Sequence, residues 1–282
     1  MVLESLINPM GAERNPRKMF LYGLLYSSVA VFLSLWIFEE NASLVVVFLT
    51  TVACIPLIYN TLKMEEQKDE TIVQEKILLK EHWKALSFFM FLFIGVVVSL
   101  SFWYVVLPTS MTDNLFSVQS DTITKINQYP TGSSIQFSIF SKIFMNNLQV
   151  LVFCILFAFL YGVGAIFILT WNASVIAAAI GIFIKAGLAE LATVVGIGKT
   201  AGYFKVVSLG LLRYSIHGIP EILAYFIAGL GAGIIAIAIL RHRLDFERFK
   251  RVLVDSTDLI VLSLVVLFIA ALLEVYVTPL LF

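Results

Sequence analysis

Seven long runs of apolar residues, separated by shorter polar segments, dominate the chain. They span 19–38, 44–62, 86–107, 147–171, 173–195, 217–240 and 259–282. At about 1.5 Å of helix per residue, runs of this length match a hydrocarbon core about 30 Å thick. A membrane β-barrel would instead alternate apolar and polar residues over about ten positions. The pattern therefore predicts an all-α, polytopic transmembrane helix bundle of about seven spans.

The composition agrees with a membrane protein. Apolar residues make up 60% of the 282 and charged residues only 13%, whereas soluble domains are about a quarter charged. The seven runs contain only Lys185, Glu190, Glu221 and Glu274 of the charged residues. A net charge of zero offers no basic surface for nucleic acid, so no nucleic-acid partner is expected.

The placement of Lys and Arg predicts the topology. With the N-terminus in the cytoplasm, 13 of these residues lie inside and 5 outside, which favours an N-in/C-out, multi-pass protein of the cell membrane. The run 173–195 is the weakest span because it carries Lys185, Glu190 and several glycines. If it did not cross, the basic segment 241–251 would move outside. Seven crossings are therefore preferred, with six as the fallback.

The polar segments suggest an internal division. Residues 1–85 are expected to form an N-terminal span hairpin followed by a cytoplasmic amphipathic helix over 63–85, whose lysines form either a solvated face near anionic headgroups or a docking surface. Residues 86–282 are expected to form the core membrane bundle. Within it, 108–146 form the largest outside loop.

Polar residues within the spans collect towards one leaflet. Ionisable groups in spans are costly and mark candidate functional sites. Counted from the outer boundary, they fall in the outer half or at the midplane: Asn146, Asn147, Lys185, Glu190, His217, Glu221 and Glu274. Two interpretations stay open. In the first, the groups pair with one another, for example as a Lys185–Glu274 ion pair. In the second, they line a polar cavity open to the outside.

The segment 217–221, His-Gly-Ile-Pro-Glu, carries the most concentrated polar signal. Proline suits the first position of a helix, so we expect Ile219 to cap a helix that begins at Pro220, with His217 just before it. Glu221 would then lie in the first turn. This geometry favours a structural His217–Glu221 hydrogen bond. The alternative is a divalent metal site in which Glu190 or Glu274 supplies a third ligand; no other cofactor is expected.

Small residues mark faces for close helix packing. Gly229, Gly231 and Gly233 lie in the sixth run, with alanines every four residues, and Gly164 lies in the fourth. Such faces in membranes bring helices close together. They predict either a compact bundle or a homo-oligomer.

The second half of the chain resembles a known family. The elements that carry the resemblance are the Asn146-Asn147 pair, Gly162, Asn172 and the segment 217–221. Over about 140–282, the chain is similar to the stage II sporulation protein M-like membrane proteins. In spore-forming bacteria, the resemblance implies a membrane component of a septal complex that recruits cell-wall-remodelling partners. The resemblance does not explain the hairpin 19–62 or the charged segment 63–85.

Three functions are compatible with these features. The leading hypothesis is a non-catalytic scaffold that assembles with other membrane or cell-surface proteins in the lipid bilayer. The second is a membrane-embedded hydrolase in which Glu221 is the general base, His217 a metal ligand or acid–base group, and Asn146 or Asn147 an oxyanion donor. The third is a transporter or channel that uses the charged residues of the spans, Lys185, Glu190 and Glu274.

Overall fold

The computed structural model describes residues 15–72, 74–127, 136–161, 164–191, 197–241 and 246–281. These residues form eight long helices and no strand. The helices are α1 (Arg17–Ile37), α2 (Ala42–Thr71), α3 (Glu75–Val106), α4 (Thr109–Asn127), α5 (Gln136–Tyr161), α6 (Ala165–Glu190), α7 (Ile197–Arg241) and α8 (Phe246–Leu272). A π-helical turn (Leu273–Val277) and a short α9 (Thr278–Leu281) follow.

All of the long helices except α4 are long and apolar enough to cross a membrane, which gives seven candidate spans among the described residues. The all-α membrane bundle and its seven spans are therefore confirmed. The N-in/C-out orientation stays a prediction.

The turn between α5 and α6 lies earlier than the apolar runs suggest. We expected a break at Asn172, but α6 begins at Ala165 and passes through that residue. The Asn172 side chain donates a hydrogen bond to the Ile168 carbonyl, 2.8 Å away, so its polar group is satisfied within the helix. The turn instead uses Gly164, where a Cβ would lie 2.3 Å from the Phe157 carbonyl oxygen. Gly162 lies outside the described residues.

The charged segment 63–85 is not one amphipathic helix. It consists of the end of α2, an extended turn around Ile72, and the beginning of α3. The 30 residues of α2 correspond to about 45 Å, which exceeds the thickness of the hydrocarbon core. The two helices therefore continue past their apolar parts as a charged hairpin, which we call the α2–α3 hairpin.

The expected loop over 108–146 contains a packed helix. A residue before proline avoids the α conformation, and α3 accordingly ends just before Leu107-Pro108. The chain then forms α4, whose Leu115, Phe116 and Gln119 are fully buried. The Gln119 amide donates to the Ser43 carbonyl (3.0 Å) and to the Ser174 hydroxyl (3.2 Å), so it joins α4 to α2 and α6.

Helices α1 and α3 approach each other through two glycines. A Cβ at Gly23 would lie 2.3 Å from the Leu92 carbonyl oxygen, and one at Gly95 would lie 2.2 Å from the Phe20 carbonyl oxygen. Only glycine leaves room for this backbone-to-backbone contact. The Ser28 and Ser99 hydroxyls, 3.0 Å apart, add a hydrogen bond between the same helices.

Helix α7 is the centre of the bundle. Its segment 224–238 is buried without interruption, between α5, α6 and α8. The small residues predicted to mark a packing face are used within the chain: Gly229 faces Ala165 of α6, and a Cβ at Gly231 would lie 2.7 Å from the Ser256 carbonyl oxygen of α8. This face therefore builds a compact bundle.

Candidate functional site

The expected helix start at Pro220 is wrong. Helix α7 runs through Pro220 for 45 residues, so His217, Gly218 and Ile219 are helical positions. Proline is tolerated inside membrane helices because neighbouring groups satisfy the freed backbone carbonyl. In a continuous helix, residues four apart share a face. His217 and Glu221 therefore lie on the same side of α7, one turn apart.

His217 bonds to the end of the chain rather than to Glu221. Its Nδ1 lies 3.2 Å from the Thr278 hydroxyl. That hydroxyl donates its hydrogen to the Leu273 carbonyl, 3.1 Å away. Since the hydroxyl hydrogen is already used, Nδ1 of His217 must be the donor in the first bond. The pair ties α7 to the start of α9.

The π-helical turn places Thr278 for this contact. Proline lacks a backbone N–H and its ring crowds the carbonyl four residues before it. Pro279 therefore disturbs the last turn of the C-terminal helix, which widens to the i−5 pattern over Leu273–Val277. The backbone N–H of Thr278 donates to the Leu273 carbonyl in the same way. The backbone N–H and the hydroxyl of Thr278 thus both donate to the Leu273 carbonyl.

Glu221 has its own partner on α7. The Tyr225 hydroxyl donates to Glu221 Oε1 at 2.8 Å, across one helical turn. Tyr225 is fully buried. The Glu274 carboxyl, in the π-helical turn, is close enough to interact electrostatically with Glu221. The structure thus brings His217, Glu221 and Glu274 together, where α7 meets the C-terminal helix.

The two asparagines of α5 have different surroundings. Asn147 is buried, whereas Asn146 is exposed. Among the hydrogen bonds of the described residues, neither asparagine side chain bonds to His217 or Glu221. The oxyanion role that the sequence suggested for Asn146 or Asn147 stays a prediction.

Lys185 and Glu190 lie elsewhere. The Lys185 ammonium lies over the Tyr104 ring of α3, 5.8 Å from its centre, as a cation–π contact. It does not pair with Glu274 in the part of the chain that the structure describes. Glu190 is exposed and lines a cavity between α6 and α7, together with Lys205. The seven predicted residues therefore do not form one site.

The proposed metal site gains no support from the geometry. In the described ranges, no group of three or more His, Cys, Asp or Glu side chains is arranged to hold a metal ion. His217 and Glu221 share a helix face, but their bonds go to Thr278 and Tyr225.

A buried charged cluster in the α2–α3 hairpin was missed by the sequence analysis. Nδ1 of His82 lies 2.7 Å from Glu65 Oε2, and Nε2 lies 2.9 Å from Asp69 Oδ1. All three side chains are almost fully buried. Lys68 adds an ion pair to Glu65 at 2.6 Å and one to Glu81 at 3.4 Å. The hairpin is thus joined by charges rather than by apolar contacts alone.

Spacing was the signal that could have revealed this cluster. The buried face of α2 runs through Leu57, Ile58, Thr61 and Leu62 and continues at Glu65, Glu66 and Asp69. This is the i, i+3, i+4 spacing of a packed stripe, so the acidic residues occupy core positions and not the solvated face.

The comparisons with known proteins give one match. The sequence model of the family described as Stage II sporulation protein M matches residues 85–279. The match extends further towards the N-terminus than the part of the chain that carried the resemblance. No curated protein and no solved structure matches the chain. Because the family match covers more than half of the residues, this multi-span membrane protein belongs to the stage II sporulation protein M family.

Proposed function

We propose that the protein is a non-catalytic scaffold, an assembly component of a membrane complex in the cell membrane. The observation that carries this proposal is the use of the polar groups of α7. His217 bonds to Thr278 and so ties α7 to the C-terminal helix, while Glu221 accepts from Tyr225 within α7. Their arrangement supports a structural role for the most concentrated polar segment of the chain.

The same contacts make the hydrolase a weaker candidate. A general base must reach the proton that it removes, directly or through one water. Glu221 Oε1 already accepts the Tyr225 hydrogen, and His217 Nδ1 donates to Thr278. No asparagine of α5 is bonded to either group within the described part of the structure. These contacts favour a structural role for His217 and Glu221 over a catalytic one.

Family membership supports an assembly role. The resemblance implies that members in spore-forming bacteria belong to a complex that recruits wall-remodelling partners. The residues before the matched segment, 1–84, add α1 and α2 to the family region. We expect partners to be other membrane or cell-surface proteins, because most of the chain lies in candidate spans.

Co-purification tests the scaffold. The tagged full-length protein is extracted from native membranes into lipid nanodiscs, and its retained proteins are quantified. We expect the wild-type protein to retain another membrane or cell-surface protein at constant stoichiometry. The retained amount should fall to a similar extent in His217→Ala and in Thr278→Val, because both variants remove the same contact. Glu39→Gln, an exposed charge in the turn between α1 and α2, is the matched control.

Hydrolysis assays on the same samples provide the opposing result. The purified protein is incubated with phospholipids and with cell-wall peptides. The scaffold is overturned if the wild-type protein retains no partner but cleaves one of these substrates, and His217→Ala abolishes cleavage while the protein stays folded.

A further inference from the structure

A large cavity lies between α6 and α7, near the turn that joins them, and we call it the α6–α7 cavity. Its volume is about 570 Å³, within the range of roughly 300–1,000 Å³ typical of ligand pockets. Most of its lining is apolar, and Ile123 of α4 closes one side. Its lining includes Phe183, Ala186, Glu190, Lys205 and Leu209.

Polarity changes along the cavity. The two helices are antiparallel: a Cβ at Gly187 would touch Val206, one at Gly202 would touch Leu191, and one at Gly210 would touch Phe183. This register puts Glu190 and Lys205 at the same end. Phe183 is seven residues from Glu190, or about 10 Å further along the helix. The cavity is thus charged at its tip and apolar in its depth.

The two charged groups at the tip are opposite in sign and exposed. No ion pair joins Glu190 or Lys205 to another side chain in the ranges that the structure describes. A ligand that satisfies both must carry a positive and a negative group close together, followed by an apolar part. This is the chemistry of a zwitterionic phospholipid, which the bilayer supplies at high concentration.

We propose that the α6–α7 cavity binds a phospholipid of the phosphatidylethanolamine class. Its ammonium group lies at Glu190, its phosphate at Lys205, and an acyl chain packs against Phe183 and Leu209. An anionic lipid would satisfy only Lys205 and would be repelled by Glu190. A helix about 10 Å across fills roughly 400 Å³ per turn, so the cavity would accept little more than one turn of a partner.

Native mass spectrometry tests the headgroup contacts. Delipidated full-length protein in detergent is titrated separately with dioleoyl phosphatidylethanolamine and with dioleoyl phosphatidylglycerol. We expect tighter binding of the ethanolamine lipid by the wild-type protein. Loss of a charged contact costs about tenfold in affinity. Glu190→Gln should therefore lose the preference and bind phosphatidylglycerol at least as tightly as phosphatidylethanolamine. Lys205→Gln should weaken both lipids.

The matched controls are Glu39→Gln and Lys18→Gln, which remove exposed charges away from the cavity. They should bind both lipids as the wild-type protein does. Equal affinities of the wild-type protein for the two lipids would overturn the proposal, and so would an unchanged preference in both cavity variants.

Photo-cross-linking in nanodiscs distinguishes a lipid from a protein. A photoreactive residue replaces Ala186 in the cavity or Leu25, which is 57% exposed on α1. In an equal mixture of the two lipids, position 186 should label phosphatidylethanolamine in excess and position 25 should label both alike. Labelling of a polypeptide at position 186 in native membranes, without lipid, would show that a partner occupies the cavity and would overturn the proposal. This test does not depend on the scaffold function.

Discussion

His82 of α3 and Glu65 of α2 form a buried ion pair across the α2–α3 hairpin, with 2.7 Å between Nδ1 and Oε2. The other ring nitrogen lies 2.9 Å from the Asp69 carboxylate. The contact with Asp69 is an ion-pair distance without hydrogen-bond geometry, since Nε2 has no hydrogen-bond partner among the described residues. Two carboxylates beside one imidazole favour the protonated ring. His82 therefore acts as an imidazolium that holds two acidic residues of the neighbouring helix.

Replacing His82 should destabilise the protein strongly. His82→Leu leaves Glu65 and Asp69 buried without their shared cation, and breaking a buried pair in this way costs about 3 to 5 kcal/mol. Equilibrium unfolding in mixed detergent micelles, followed by circular dichroism, measures the loss. Lys80→Gln on the same helix should change the unfolding free energy by less than about 0.5 kcal/mol.

A charge-matched triple variant separates the ion pairs from simple packing. His82→Leu combined with Glu65→Gln and Asp69→Asn removes the cation together with the two negative charges that it contacts. It should recover part of the stability lost in His82→Leu. If the combined variant is less stable than His82→Leu, charge compensation is not what the histidine provides.

The glycine contact between α1 and α3 makes a sharp prediction about alanine. Gly95→Ala must move a backbone carbonyl that lies 2.2 Å from the new Cβ, and overpacking of this kind costs about 1 to 3 kcal/mol. Gly218→Ala is the matched control, since a Cβ there meets nothing within 4 Å. Alanine favours a helix over glycine, so Gly218→Ala should raise stability by up to about 1 kcal/mol. Thermal unfolding of the two variants in one detergent checks both signs.

The His217–Thr278 bond should give a measurable coupling. His217→Ala and Thr278→Val each remove it, and interhelical hydrogen bonds in membranes contribute about 0.6 kcal/mol, up to about 1.7. A double-mutant cycle on the unfolding free energy should return a coupling of this size. Strict additivity of the two changes would mean that the contact contributes nothing.

Gln119 offers a test of α4 as part of the fold. Gln119→Leu removes both hydrogen bonds of the amide, to the Ser43 carbonyl and the Ser174 hydroxyl, and each such bond contributes about 0.5 to 1.5 kcal/mol. Asp121→Asn, an exposed change two residues later, should be neutral. Protease cleavage within 109–127 should become faster in Gln119→Leu than in the control; equal rates would show that Gln119 does not hold α4 in place.

Apolar run length was sufficient to predict the helical class and the number of spans. It failed at the helix ends, because membrane helices tolerate residues that end helices in water. Asn172 and Pro220 both looked like boundaries, yet both lie inside continuous helices, and the Asn172 side chain bonds to the Ile168 carbonyl. The position of a turn depended on a close contact at Gly164, which one sequence does not reveal.

The candidate site was predictable only in part. Of the residues that were grouped by depth along each span, His217, Glu221 and Glu274 lie where α7 meets the C-terminal helix. Depth does not tell which side of a helix a residue occupies. Lys185 and Glu190 were therefore included in the same group, although Lys185 contacts α3 and Glu190 lines the α6–α7 cavity. The His82 cluster was hidden because charged residues in a polar segment were assumed to face water.

The contacts of α1 and α2 set a limit on how the chain can be divided. The family match begins at residue 85, next to the His82 cluster. Yet Gly95 within the match packs against α1, and His82 just before it is held by α2. A protein cut to the matched segment would expose a bare glycine groove and lose both carboxylates of the hairpin. The unit defined by family membership is therefore shorter than the unit that must fold together.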